Sequence, residues 1–146
     1  MIPKYKTILK ENKLPIISSN NISGILQKIH ECNFDEIDRE KEVFYTVHLN
    51  SRNKITLIEV VSIGTLTSSL VHPREVFRRA VTNGTAKIII SHNHPSGEVD
   101  PSDDDIKITK RLIEAGKIIG IELLDHIVFN HLDKDYYSFK DKKLIK

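Results

Sequence analysis

The chain has 146 residues, 39% of them apolar and 29% charged, with a formal net charge of +2. That length suits one domain with its own core; the composition excludes a disordered chain, and no apolar run approaches a membrane span. The even charge balance gives no argument of its own for nucleic acid, and the single cysteine, Cys32, excludes an internal disulfide and a thiolate zinc site.

In chain order, residues 1–19 mix Pro3, Pro15 and lysines with scattered isoleucines, which predicts an N-terminal arm with one edge strand at most. Met1 to Lys6 show no apolar signal region, so a cytoplasmic protein is expected. The rest, 20–146, reads as a single domain. Ile22, Ile25, Leu26 and Ile29 recur at helical spacing over 21–31, with Asn20 or Asn21 as the cap. The polar run 33–41 reads as a loop. Residues 42–50 alternate as a strand, Ser51-Arg52-Asn53 as a turn, and 54–63 as its antiparallel partner. A linking segment, 65–71, leads to a helix over 73–82 that starts at Pro73, with Val76, Phe77, Ala80 and Val81 on its apolar side. The β-branched run 86–91 predicts a central strand covered on both faces. A helix over 102–118 follows, with Ile106, Leu112, Ile113 and Ile119 as its buried side. Strands at 121–129 and 136–139 close the chain. This alternation predicts an α/β (α+β) fold, a mixed sheet sandwiched between helices.

Residues 91–105 carry the chemistry. His92 and His94 are two of the seven histidines. At i and i+2 on extended chain their side chains leave on the same side, so both imidazoles reach one ion. Ser102-Asp103-Asp104-Asp105 reads as a helix start whose first turn returns the Asp105 carboxylate toward the loop. Two imidazoles and a carboxylate are a zinc donor set, with the fourth position left to water. Each piece also has an ordinary explanation. Ser102 with Asp105 fits a capping box, the three aspartates suit a helix N-terminus, and His-x-His alone is a weak motif. Their joint placement after a buried strand favours the metal.

The same residues resemble a known family. His92-x-His94-Pro95, followed after six residues by Ser102-x-x-Asp105, looks like the JAMM motif of the JAB/MPN metalloprotease superfamily. His92-Asn93-His94-Pro95-Ser96-Gly97 with Pro101-Ser102 and Asp105 resembles its RadC branch. Gly64-Thr65-Leu66, His72-Pro73-Arg74-Glu75-Val76-Phe77, Arg111-Leu112 with Ala115-Gly116, and Leu124-Asp125-His126 match RadC segments on either side. The resemblance implies a three-layer JAB/MPN-like (cytidine-deaminase-like) domain. It implies Zn2+ on His92, His94 and Asp105, Ser102 as donor to the water or oxyanion, and Glu42, opening its strand, as general acid/base. The activity it implies is metal-assisted hydrolysis of a peptide or protein substrate.

The RadC resemblance also carries a DNA-repair association. Lys107, Lys110, Arg111 and Lys117 would be the candidate basic face, although solvated helix residues explain them as well. The helix-hairpin-helix module of RadC proteins needs Gly-rich hairpins, and the residues ahead of Glu42 have none. A non-catalytic binding domain is disfavoured because the ligand set is intact. A zinc deaminase is excluded because Cys32 stands alone. Asp125-His126 reads as a support behind the metal or, more plainly, as a hydrogen-bonded packing pair. His72 reads as structural, while His30, His48 and His131 carry no signal.

Overall fold

A computed structural model gives the fold and describes residues 7–15, 18–35, 40–64 and 71–145. Its elements are β1 (Thr7–Pro15), α1 (Ser19–Asn33), β2 (Glu42–Leu49), β3 (Lys54–Gly64), α2 (Pro73–Thr82), β4 (Lys87–Asn93), α3 (Asp103–Ile119), β5 (Glu122–Phe129) and β6 (Tyr136–Ser138). They form one six-stranded sheet in the order β1-β3-β2-β4-β5-β6. Every neighbouring pair is antiparallel except β4 and β5. That single parallel pair cannot be joined by a tight turn, and α3 is its crossover. The edge strand allowed for in the arm is β1, paired with β3. Parts of the arm (1–6, 16–17), of the loop at 33–41 (36–39) and of the linking segment (65–70) lie outside the described residues.

β2 shows why the sheet carries helices on both sides. Val43, Tyr45, Val47 and Leu49 join Ile22 and Leu26 of α1 in one apolar cluster. Phe44, from the alternate set, joins Val76 and Phe77 of α2 and Ile108 and Leu112 of α3 in the other. The period-two alternation of a strand with apolar residues in both sets demands cover on both faces. The domain is therefore three-layered, with α1 on one face of a mixed sheet and α2 with α3 on the other.

Three expectations need correction. Ser18 caps α1, its hydroxyl accepting from the Asn21 N–H at 3.3 Å, rather than Asn20 or Asn21 doing so. Val81 of α2 is exposed. In α3 the buried stripe is Asp105, Ile108, Thr109, Leu112 and Gly116, while Ile119 is 44% exposed and Ile106 and Ile113 are only partly covered. The stripe runs through Gly116 because α3 lies against the chain there. A Cβ at Gly116 would sit 2.3 Å from the Ile121 carbonyl oxygen and 3.3 Å from the Phe77 ring. Pairing of Phe44 with His92 sets the start of β2 beside the end of β4, and this register places the site. Among the described residues no helix is long and apolar enough to cross a membrane.

Candidate metal centre

β4 extends two residues beyond the apolar run, taking His92 and Asn93 into the ladder. His92 is buried and stacks on Phe44, ring centroids 6.2 Å apart at 12°. His94 lies just past the strand, its N–H donating to the Phe129 carbonyl at 2.8 Å. The chain then turns through Pro95 and Ser96, and the Gly97 N–H closes the turn on the His94 carbonyl at 3.0 Å. Gly97 has φ +94°, a conformation that needs a residue without Cβ.

α3 starts as the sequence predicts, with Ser102 as its cap. The Ser102 hydroxyl accepts from the Asp105 N–H at 3.1 Å, and the Ser102 N–H donates to Asp105 Oδ2 at 2.8 Å. This capping box also has a directional effect, because it holds the Asp105 carboxylate facing the two imidazoles. His92 Nε2 lies 3.2 Å from Asp105 Oδ1, His94 Nε2 lies 3.1 Å from Asp105 Oδ2, and the two Nε2 atoms are 3.0 Å apart. His92, His94 and Asp105 thus form a group that could hold a metal ion.

The donor set fits a small divalent cation. His94 Nδ1 lies 2.7 Å from the Glu98 carbonyl oxygen. A carbonyl only accepts, so Nδ1 carries a hydrogen and Nε2 is the nitrogen left to ligate once a cation displaces its proton. Ligands bound tetrahedrally at roughly 2.0–2.1 Å are about 3.3 Å from one another, close to the separations here. Burial raises the Asp105 pKa, but hydrogen bonds to His92 and His94, the His92 charge and the Ser102 N–H outweigh it and hold the carboxyl well below its usual range. His94 moves the other way. Burial disfavours its charged form, yet the hydrogen bond to Asp105, the Glu98 carbonyl and the charges of Asp105 and Glu42 raise its pKa. An anion is thereby fixed where a cation would bind.

Glu42 opens β2 opposite Gly64 and is half-buried. With Glu40, Lys41, Gly64 and Pro95 it lines a cleft of about 420 Å³. Ser102 is exposed at the α3 start. The Asp125-His126 pair divides. Asp125 accepts from the Ser138 hydroxyl at 2.6 Å, the Lys140 N–H at 2.9 Å and the His126 N–H at 2.7 Å, and so fastens the C-terminal segment. His126, fully buried on the opposite face of β5, lies 2.9 Å from His92 Nδ1 through its Nε2. Burial, then the His92 charge, holds its pKa well below the usual imidazole value, so it is neutral.

Two residues escaped the sequence reading. Asn93 bridges to β2, accepting from the Val43 N–H at 2.7 Å and donating to the Lys41 carbonyl at 2.9 Å, which pins the backbone on both sides of Glu42. Its signal was an amide inside a strand buried on both faces, where a polar side chain needs partners. Thr109, one turn after Asp105, is buried against His126; a hydroxyl on the same helix stripe as a ligand was its only trace.

Comparison with known proteins agrees with this geometry. The profile of the RadC-like JAB domain matches residues 20–144. A UPF0758 protein of Alkaliphilus oremlandii is 53% identical over 136 residues, 93% of this chain and 55% of that protein. One from Clostridioides difficile is 56% identical over 106 residues, 73% of this chain and 44% of the relative. One from Methanosarcina mazei is 41% identical over 144 residues, 98% of this chain and 59% of the relative. The chain thus spans about half the length of these curated relatives. With the profile covering the whole site and most of the sheet, the chain belongs to the family of RadC-like JAB domains.

Proposed function

We propose that this domain is a zinc-dependent hydrolase of peptide or isopeptide amide bonds, with His92, His94 and Asp105 as ligands and Glu42 as general acid/base. The convergence of two imidazole nitrogens and one carboxylate within 3.0–3.2 Å of one another carries the reading. Nitrogen and carboxylate oxygen together suit zinc, and three protein ligands leave a position for water. A zinc ion bound there supplies Lewis acidity, lowering the pKa of a bound water to roughly 7 and polarising the scissile carbonyl. Family membership supports the amide bond as the substrate class, since JAB/MPN relatives include isopeptidases.

The chain's own groups divide the remaining work. A Glu42 carboxylate oxygen takes the proton from water and returns it to the leaving amine nitrogen. Asn93 keeps that carboxylate at the mouth of the cleft through the backbone on either side of it. The Ser102 Oγ already accepts from the Asp105 N–H, so its hydroxyl hydrogen is the part left to donate to a developing oxyanion. The cleft beside Pro95 receives the extended substrate.

Metal analysis and turnover of a fluorogenic peptide panel test this together. About one zinc per chain is expected. Glu42→Gln is expected to keep the zinc and lose roughly 10²–10⁴-fold in kcat. Zinc at full occupancy in His92→Ala would sink the ligand assignment, and unchanged turnover in Glu42→Gln would remove Glu42 from the chemistry.

A further inference from the structure

The two imidazoles of the centre are oriented by different kinds of partner. His94 Nδ1 faces a carbonyl oxygen, that of Glu98, at 2.7 Å. An acceptor-only group fixes the tautomer by itself. His92 Nδ1 faces another imidazole, His126 Nε2, at 2.9 Å. A neutral imidazole accepts at one nitrogen and donates at the other, so this contact works in either direction. Only one direction leaves His92 Nε2 with a free lone pair; the other puts a hydrogen on the nitrogen that must ligate.

The choice is made one group further away. His126 Nδ1 lies 2.6 Å from Thr109 Oγ1, and Thr109 Oγ1 lies 2.7 Å from the Asp105 carbonyl oxygen. That carbonyl cannot donate. If the Thr109 hydroxyl gave its hydrogen to His126, two oxygen lone pairs would face each other at 2.7 Å. The hydroxyl therefore donates to the carbonyl and accepts from His126 Nδ1–H. His126 Nε2 is then bare and accepts from His92 Nδ1–H, which makes His92 Nε2, 3.2 Å from Asp105 Oδ1, the nitrogen left to ligate when an ion takes the place of its proton. His126 and Thr109 are both buried, so no solvent competes for these bonds.

We propose that Thr109 and His126 are positioning residues that select the ligating tautomer of His92, with the Thr109 hydroxyl setting the direction of the chain from the Asp105 carbonyl to the metal centre. Neither touches the ion or the substrate. The inference rests on the metal reading above, but the His126 tautomer is set by Thr109 and the Asp105 carbonyl without the ion. The chain of bonds also links the ligands to each other, because the carbonyl at its far end belongs to Asp105. The start of α3 thus orients one ligand through the capping box and a second through Thr109.

The test uses two readouts on the wild type, Thr109→Val and Thr109→Ser. Nitrogen-15 NMR of the chelator-stripped protein at about pH 8.5, above the usual imidazole pKa of roughly 6.5, reads the tautomers directly. In the wild type His126 is expected as Nδ1–H; an Nε2–H form as its main species would overturn the proposal. Thr109→Val removes the acceptor with little change in shape, and the Nε2–H form of His126 is then expected to appear. Zinc affinity, measured by competition with a chromophoric chelator, is expected to fall roughly 10–100-fold in Thr109→Val, the usual effect of losing an outer partner of a ligand. Thr109→Ser is expected to restore both readouts. Equal zinc affinity in wild type and Thr109→Val would overturn the positioning role. Failure of the wild type to bind zinc would instead overturn the metal reading, and the NMR spectrum would still decide the tautomer. A role confined to packing would lower the melting temperature of Thr109→Val and leave the His126 tautomer unchanged.

Discussion

Two buried histidines lie on the same face of the sheet, and their surroundings differ in one respect. His92 on β4 pairs across from Phe44, and His48 stands four residues further along β2. Both are essentially inaccessible. Around His48 the chain supplies its own cation: Arg79 Nε donates to Glu59 Oε2 at 3.0 Å, with His48 Nε2 4.0 Å from Glu59 Oε1. Burial, then the Arg79 charge, pushes the His48 pKa down to about 4. Around His92 the ion-pair partners of Asp105 are the two imidazoles themselves. An acid and a histidine occur in both places. What separates a structural cluster from a metal centre is whether a guanidinium fills the cation's part or whether lone pairs are left converging on one point.

The largest expected effect breaks the metal end. Asp105→Asn keeps the shape and one capping acceptor but removes the anion. Zinc affinity is expected to fall by more than the roughly 10–100-fold typical of an outer-shell loss, measured by chelator competition. A smaller fall would mean that the imidazoles alone define the site. Next comes Arg79→Met at the other end. It strips the guanidinium from a carboxylate that is 5% exposed. Breaking a fully buried pair costs about 3–5 kcal/mol, but the Arg79 side chain is 38% exposed, so about 2–3 kcal/mol is expected by urea denaturation. Zinc affinity is expected to stay within about twofold, well short of the tenfold that 1.4 kcal/mol represents. Loss of zinc in this variant would join the two regions that the comparison separates.

His48 supplies a pH test. Its folded pKa is depressed to about 4 from an unfolded value of 6.5. The stability this represents is present above 6.5 and is lost as the pH falls through the interval down to 4, where the unfolded chain binds the proton first. Between about pH 7 and 5 the loss amounts to about 2 kcal/mol. His48→Gln is expected to flatten the acid limb of the stability profile by that amount in thermal melts. The raised pKa of His94 has the opposite sign. Its contribution is full below 6.5 and disappears as the pH rises through the folded value, so His94→Gln is expected to remove a loss of stability above pH 6.5 and to leave the slope of the acid limb unchanged.

Legibility in the sequence followed distance along the chain. His92, His94 and Asp105 were readable because a strand period and a helix cap are local rules, and Glu42 came only through resemblance. His126 was visible as half of a pair, but its contact with His92 depends on the parallel register that sets Ile90 beside His126 and Ser91 beside Ile127. No local pattern encodes that register. Alternation along β5 then sent Asp125 to Ser138 and His126 to the centre. The buried face of α3 was misassigned for a related reason. Asp105 and Thr109 are polar and Gly116 has no side chain, so a search for apolar periodicity shifted the stripe onto Ile106, Ile113 and Ile119. The polar interruptions of that stripe were the signal of the site.

The smallest effect concerns Ser102, which the resemblance casts as a catalytic donor and the structure holds as a helix cap. Ser102→Ala removes the hydroxyl acceptor of the Asp105 N–H but keeps the Ser102 backbone N–H that holds Asp105 Oδ2. The expected loss of stability is about 1 kcal/mol, the usual value for an N-cap. Zinc affinity is expected to fall less than in Thr109→Val, because the carboxylate keeps its backbone anchor. The kcat separates the two roles. A cap alone predicts turnover within a few-fold of the wild type once zinc is saturating. A hydroxyl aimed at the oxyanion predicts a loss of about 10²-fold or more, with stability restored by Ser102→Asp but turnover not. The second pattern would make the first turn of α3 the support for both the carboxylate that holds the ion and the hydroxyl that meets the substrate.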